Sequence, residues 1–282
     1  MERQRKFPSP LYIGIIIFLG FLFSIASAVF ISTLATTVFP QIQYQIYWQK
    51  VLTKLVLIVG ELNLFLFAVI FLFRRTSNMR QLFRIHAIPA KMMAVMFPLG
   101  VALAIAGDAL DRLMQLIIPA SDVTQQLATM LKANSPMELG LLIIGSVLVA
   151  PVVEEFLFRG ALQQALEETI GVTRAVIYAS LLWAIIHGVM NWAIQIFVLG
   201  VFIGYVAWRL NSTVASIILH AINNLLAVIF YNWDIQSILP YYEWHGQVNP
   251  IYTVIAVGII YGVIRWLELF YRSSTSVTDP SS

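Results

Sequence analysis

Residues 151–160 read Pro151-Val152-Val153-Glu154-Glu155-Phe156-Leu157-Phe158-Arg159-Gly160. Glu154, Glu155 and Arg159 stand close together in a setting that is otherwise apolar. From Leu139 to Val153 no residue is charged, and polar character resumes only at Gln163. In a soluble protein such a run is a core helix with misplaced charges. In a bilayer a charge at the centre costs about 2.5–3.5 kcal/mol or more, so ionisable groups kept there point to function. The composition of the whole chain decides between the two settings.

The chain has 282 residues, of which 60% are hydrophobic and 11% are Asp, Glu, Lys or Arg. A typical soluble domain carries roughly 25% charged residues. The mean hydropathy is +0.83. This inventory cannot cover a water-facing surface, which excludes a soluble enzyme, and it is too apolar for a disordered chain. There is no cysteine, which removes disulfides, thiolate metal sites and cysteine nucleophiles. The fold class is therefore an all-α polytopic membrane protein.

A helix needs roughly 20 apolar residues to cross the hydrocarbon core. Working outward from the quoted stretch, about eight transmembrane helices are expected. They lie near 11–35, 52–73, 91–118, from about 137 through Pro151 to about Glu168, 174–190, 192–209, 213–232 and 250–270. The fifth and sixth come from the charge-free stretch between Arg174 and Arg209, divided by a tight turn near Gly188–Asn191. Three regions follow. Residues 1–136 hold the first three helices and their loops, residues 137–232 the core, and residues 233–282 a loop, the last helix and a Ser/Thr-rich tail. Ala26-Ser27-Ala28 resembles a signal-peptidase site, but the apolar run continues beyond it, so an uncleaved anchor is expected. The polar segment 76–88, with Leu82, Phe83, Ile85 and Ile88 interleaved, is read as an amphipathic surface helix or a plain loop.

With both termini on the cytoplasmic side, most basic residues fall on that side. Lys50, Lys54, Arg112 and Lys132 are the exceptions. That is the positive-inside bias. The expected location is an integral multi-pass protein of the plasma membrane.

Three clusters carry chemistry. Glu155 and Arg159 are spaced i, i+4 and share a helix face, so they can pair. Glu154 points about 100° away and is a candidate general base towards water. At 1.5 Å per residue, Glu154 lies roughly 20 Å from the end of its helix at Glu168. His187 lies roughly the same distance past Arg174, at a matching depth. His220 and Asn224 are one turn apart and can both donate to one oxygen, whereas Asn223 points elsewhere. Glu61, Asp108, Asp111 and Arg112 are weaker candidates, since Asp108 and Arg112 can neutralise each other at i, i+4. His86 and His245 fall in loops.

The run Glu154-Glu155-x-x-x-Arg159, then Trp183-x-x-x-His187, then His220-x-x-x-Asn224, resembles the CPBP family. These are CAAX-processing and bacteriocin-processing intramembrane proteases, including type II prenyl-protein endopeptidases. The family motifs read EExxxR, FxxxH and HxxxN/D in that order, with Trp183 here in place of the usual Phe. The resemblance covers about 137–232. It implies an intramembrane active site and hydrolysis of a peptide bond in a membrane-tethered peptide or protein. Glu154 would activate the water, with His187 holding it. Glu155 and Arg159 would support the site, and His220 and Asn224 would stabilise the oxyanion.

Glu154, His187 and His220 also form a donor set suited to Zn²⁺, although HExxH is absent, and a metal-independent glutamate mechanism is the alternative. The implied partners are the substrate and the lipid bilayer, with no nucleic acid. A non-catalytic immunity or regulatory protein that keeps the fold is the competing reading. A small transporter is disfavoured because no inverted repeat is evident.

Overall fold

The computed structural model describes residues 7–76 and 78–276. The basic residues Arg3, Arg5 and Lys6, together with Ser77 and the end of the Ser/Thr-rich tail, lie outside the described residues. Eight principal helices follow one another: α1 (Pro10–Val38), α2 (Ile46–Phe73), α3 (Ala90–Gln115), α4 (Pro136–Ile170), α5 (Val172–Ile186), α6 (Met190–Arg209), α7 (Thr213–Asn232) and α8 (Pro250–Ser276). Short helical turns and one two-stranded antiparallel hairpin, β1 (Glu243–Trp244) with β2 (Gln247–Val248), complete the described chain. The fold is an all-α polytopic membrane protein.

Among the described residues, seven helices are long and apolar enough to cross a membrane. The expected fifth span is corrected: α5 has 15 residues, about 22 Å of helix at 1.5 Å per residue, and so falls short of the hydrocarbon core. Its end comes early because Gly188 adopts φ +67°, the left-handed conformation that closes helices. His187 is therefore the C-terminal cap of α5 rather than a residue within a helix.

Serine caps set the entry of several spans. Ser9 caps α1, its Oγ accepting from the Tyr12 N–H at 3.2 Å, with Pro10 in the first turn. Ser212 caps α7 in the same way through the Val214 N–H at 3.2 Å. The outer face of the bundle exposes Phe18, Phe30, Leu66, Phe97 and Ile251, as expected of surfaces that meet lipid. Between helices the contacts are polar and close. Ser24 donates to the Gly60 carbonyl at 2.8 Å, and Asn63 donates to Ser27 at 2.8 Å, joining α1 to α2. Such bonds contribute about 0.6 kcal/mol each in membranes. Lys54, counted above among the topological charges, is buried and pairs with Glu138 at 3.2 Å, joining α2 to α4.

α4 is the axis of the core and is not a uniform α-helix. Ile143–Val149 and Phe156–Leu162 are π-helical, and the α-helical turn Ala150–Glu155 lies between them. Pro151 has no N–H to return to the preceding turn and its ring crowds that turn, which the wider π segment accommodates. π segments of this kind recur at functional sites.

The segment after α2 is not an amphipathic surface helix. It forms one helical turn, Met79–Leu82, and then dives inward, with Leu82, Phe83 and Arg84 buried. Gln164 donates to the Leu82 carbonyl at 2.9 Å and Thr213 donates to the Phe83 carbonyl at 2.8 Å. Arg84 pairs with Glu167. Gly160 makes this approach feasible, because a Cβ there would stand 2.8 Å from the Phe83 Cα. The segment thus fastens the C-terminal part of α4 to the start of α7.

Candidate active site

α4, α5, α6 and α7 bring the three motif clusters to one place, and Trp183 of α5 is at its centre. Trp183 is buried. Its indole N–H donates to Glu154 Oε2. Its ring meets the His187 ring edge-on at 5.0 Å and the His220 ring edge-on at 5.2 Å between centroids. The Arg159 guanidinium lies 4.3 Å from the indole centroid, within the range of a cation–π contact. Gly200 of α6 allows this packing: a Cβ there would stand 3.0 Å from Ser180 and 3.1 Å from the Trp183 ring.

The Glu155–Arg159 pair is fully buried, with Arg159 Nη1 donating to Glu155 Oε1 at 2.8 Å. His220 Nδ1 meets the same oxygen at 2.9 Å. Arg159 Nη2 also reaches the Gly200 carbonyl at 3.4 Å. Glu155 therefore ties α4 to α7, and Arg159 ties α4 to α6. The expected i, i+4 pairing is present. Because the Glu155 carboxylate accepts, His220 Nδ1 carries the proton, and Nε2 is left facing the site.

Glu154 faces His187, the two groups that the sequence placed at matching depth. Glu154 Oε2 and His187 Nε2 are 4.0 Å apart, with the Glu154 side chain 13% exposed and His187 31%. His187 Nδ1 lies 2.7 Å from the Trp183 carbonyl. A carbonyl only accepts, so Nδ1 carries the proton and Nε2 presents a lone pair towards Glu154. That carbonyl belongs to the last turn of α5, where helix oxygens lack intrahelical partners, so the early end at Gly188 is what fixes the tautomer. Two acceptors facing across 4.0 Å form a gap that one water can bridge.

Asn224 Nδ2 donates to the Ser146 carbonyl at 2.8 Å, within the first π segment of α4. Asn223 Nδ2 donates to Asn224 Oδ1 at 3.3 Å. The Asn224 amide is held from both sides, with its second N–H left for the site.

The zinc expectation was tested against this donor set. Among the described residues, no group of three or more His, Cys, Asp or Glu side chains could hold a metal ion. His220 Nδ1 is turned to Glu155, His187 Nδ1 to the Trp183 carbonyl, and Glu154 Oε2 accepts from the indole. Each histidine keeps its Nε2 free, so these contacts do not themselves bar a metal; what the described residues lack is three such donors gathered at one point.

Two residues gain weight over the sequence reading. Trp183 counted only as an aromatic stand-in for Phe, although a buried indole N–H needs a partner and a carboxylate at similar depth was available. Glu61 of α2 was ranked among the weaker candidates. Its Oε2 is buried with no hydrogen-bond partner among the described residues. Its position twelve residues before the end of α2 at Phe73 puts it about 18 Å deep, the signal that could have marked it. Asp108 and Arg112 do pair, at 3.1 Å, away from this cluster.

Residues 136–226 match the family model described as type II CAAX prenyl endopeptidase Rce1-like. This segment is similar to the type II CAAX prenyl endopeptidases. The matched segment contains all three motif clusters and closely follows the 137–232 expected from the motifs. No curated protein and no solved structure matches the chain. The matched segment runs from the start of α4 into α7. α1 to α3 and α8 lie outside the match and surround it, with α2 contributing Glu61 and α3 packing along α7.

Proposed function

We propose that this protein is an intramembrane endopeptidase that hydrolyses a peptide bond of a membrane-associated substrate, a CAAX-like tail or a leader peptide, by glutamate-activated water. The observation that carries the reading is the facing pair of acceptors, Glu154 Oε2 and His187 Nε2, at 4.0 Å within a CAAX-protease core. A water bridging them gives one hydrogen to each and turns a lone pair outward. The water oxygen attacks the scissile carbonyl carbon while Glu154 takes its proton. The resulting oxyanion is stabilised by Asn224 Nδ2 and His220. The C–N bond then breaks, and the proton held by Glu154 passes to the leaving nitrogen. Glu155 and Arg159 hold α4, α6 and α7 in register around this site.

The distribution of Lys and Arg supports both termini on the cytoplasmic side of the plasma membrane. The donor geometry favours a site that works through the chain's own side chains.

The test is reconstitution of the full chain in lipid vesicles with two membrane-tethered probes, a prenylated CAAX peptide and a leader-peptide fusion. Wild type is expected to cleave at least one, and Glu154→Gln and His187→Ala neither, while both variants insert and fold. Full cleavage by either variant would remove the mechanism. No cleavage by wild type, with a host phenotype that survives Glu154→Gln, would point to a non-catalytic immunity or regulatory role.

A further inference from the structure

A cavity of about 540 Å³ runs between the C-terminal half of α3, the start of α6 and the C-terminal half of α7. At one end stand Ala104, Leu199 and Asn223, and at the other Asp111 and Gln115 of α3 with Gln247 of the β1–β2 hairpin. At 1.5 Å per residue, Asn223 lies about 12 Å along α7 from Tyr231, and Ala104 about 16 Å along α3 from Gln115. The cavity is therefore a shaft between helices rather than a surface dent. Its inner end adjoins the motif residues. Asn223 donates to Asn224 at 3.3 Å. Leu199 precedes Gly200, which packs on the Trp183 ring and accepts from Arg159 at 3.4 Å.

The hairpin covers the outer end, where Glu243, Gly246 and Gln247 line the shaft. Its base is fixed by apolar burial: Tyr242 and Val248 pack in a small cluster with Ala109 of α3 and with Ile235. Tyr242 also donates to Asp108 at 2.8 Å. The tip turns at His245 and Gly246, both at positive φ, the two-residue turn whose twist matches its strands and makes the hairpin one stiff unit. Trp244 at the tip is exposed.

The tip is tied to α3 through Arg112. Its Nη2 meets Glu243 at 2.8 Å and its Nη1 reaches the Gly246 carbonyl at 3.4 Å, while its Nε stays on Asp108 at 3.1 Å. The Arg112 side chain is 22% exposed and that of Glu243 36%. Ion pairs with this much solvent around them hold weakly and are screened by salt. A base held by apolar packing and a tip held by one polar fastening make a hinged flap.

We propose that the β1–β2 hairpin is a lid, latched by Arg112, on a shaft through which an extended flank of the peptide substrate reaches Asn224. An extended chain advances about 3.3 Å per residue, so the shaft takes about four residues. The route for substrate rests on the protease reading, whereas the hinged lid does not.

The chain has no cysteine, so a single introduced one reports on its own position. The test uses the full chain in nanodiscs and a bulky, charged maleimide. Ala227→Cys lies on the shaft wall, and Ser237→Cys, exposed outside it, is the control. With the latch intact, Ala227→Cys is expected to label slowly and Ser237→Cys fast. Glu243→Gln and, separately, Arg112→Gln are expected to quicken labelling of Ala227→Cys roughly fivefold or more, as is high ionic strength, with Ser237→Cys unchanged. Using both latch variants guards against misfolding of either. Labelling of Ala227→Cys that neither folded variant quickens, whether fast or absent throughout, overturns the lid. Maleimide on Ala227→Cys is expected to stop cleavage of a membrane-tethered peptide, and maleimide on Ser237→Cys to spare it. Cleavage unaffected by full labelling of Ala227→Cys overturns the substrate route. Absence of cleavage by the unlabelled chain counts against the protease reading, and the labelling rates still decide the lid.

Discussion

Trp183 donates its indole N–H to Glu154, a residue 29 positions earlier in the chain. The bond joins α5 to the α-helical turn of α4 that lies between two π segments. The same indole packs edge-on against His187 and His220 and under Arg159. One side chain therefore sets the carboxylate rotamer, the position of both imidazoles and the face of the buried guanidinium.

Trp183→Phe keeps an aromatic ring and removes the donor. Hydrogen bonds to charged groups contribute about 1.5–3 kcal/mol, so cleavage is expected to fall by roughly tenfold or more while the protein folds normally. Trp183→Ala removes the packing as well and is expected to cost about 3–5 kcal/mol of stability. Initial rates in vesicles and unfolding midpoints in detergent separate the two effects. A Trp183→Phe rate equal to wild type would show that the indole bond does not organise Glu154.

Arg159 and Glu155 are both fully buried. Removing one partner of such a pair strands the other charge, at a cost of about 3–5 kcal/mol. Arg159→Met is therefore expected to destabilise strongly. The double change Glu155→Leu with Arg159→Met leaves no stranded charge between them and is expected to recover most of that loss. It should not recover cleavage, because His220 Nδ1 loses its acceptor. A double variant that is both stable and active would reduce the pair to a structural device.

Much of this site was legible because charge is scarce in a membrane chain. The i, i+4 spacing of Glu155 and Arg159 became an observed ion pair, and the depth arithmetic for Glu154 and His187 brought two groups to 4.0 Å. What spacing could not supply was the departure from regular helix. The π segments of α4 and the left-handed Gly188 change which way side chains point, and periodicity assumes 3.6 residues per turn throughout. Segment 76–88 was read as an amphipathic surface helix or a plain loop, and its burial escaped both readings for a related reason. Its polar residues suggested a surface, whereas Gly160 and Thr213 draw its backbone into the core. Asp111 and Gln247 share a cavity only because the hairpin folds over α3, and local pattern carries no such long-range pairing.

The donor geometry leads to an expectation about metals. Among the described residues Glu154, His187 and His220 do not gather as a three-donor cluster, although both histidines keep Nε2 free. Treatment with 1,10-phenanthroline is expected to leave cleavage unchanged, and elemental analysis of the purified protein to find less than one zinc per chain. Loss of activity that added zinc restores, with one zinc bound per chain, would replace the metal-independent scheme.

Asn224 tests the oxyanion assignment. Its amide is fixed by the Ser146 carbonyl at 2.8 Å and by Asn223 at 3.3 Å, so its free N–H is aimed before substrate arrives. A pre-aimed donor acts mainly on charge that develops in the transition state, and losing one typically costs about 10²–10³ in kcat. Asn224→Ala is therefore expected to lower kcat by about that factor with little change in KM. Some stability will also be lost, because the Ser146 carbonyl loses its side-chain donor. The neighbouring Asn223→Ala provides the comparison. It removes a polar side chain from the same turn of α7 and one of the bonds steadying Asn224, but leaves the donor itself, so its effect on kcat should be far smaller. Steady-state kinetics of both variants, at matched amounts of folded protein, decide the matter. An Asn224→Ala variant that raises KM and leaves kcat intact would assign this side chain to substrate binding instead.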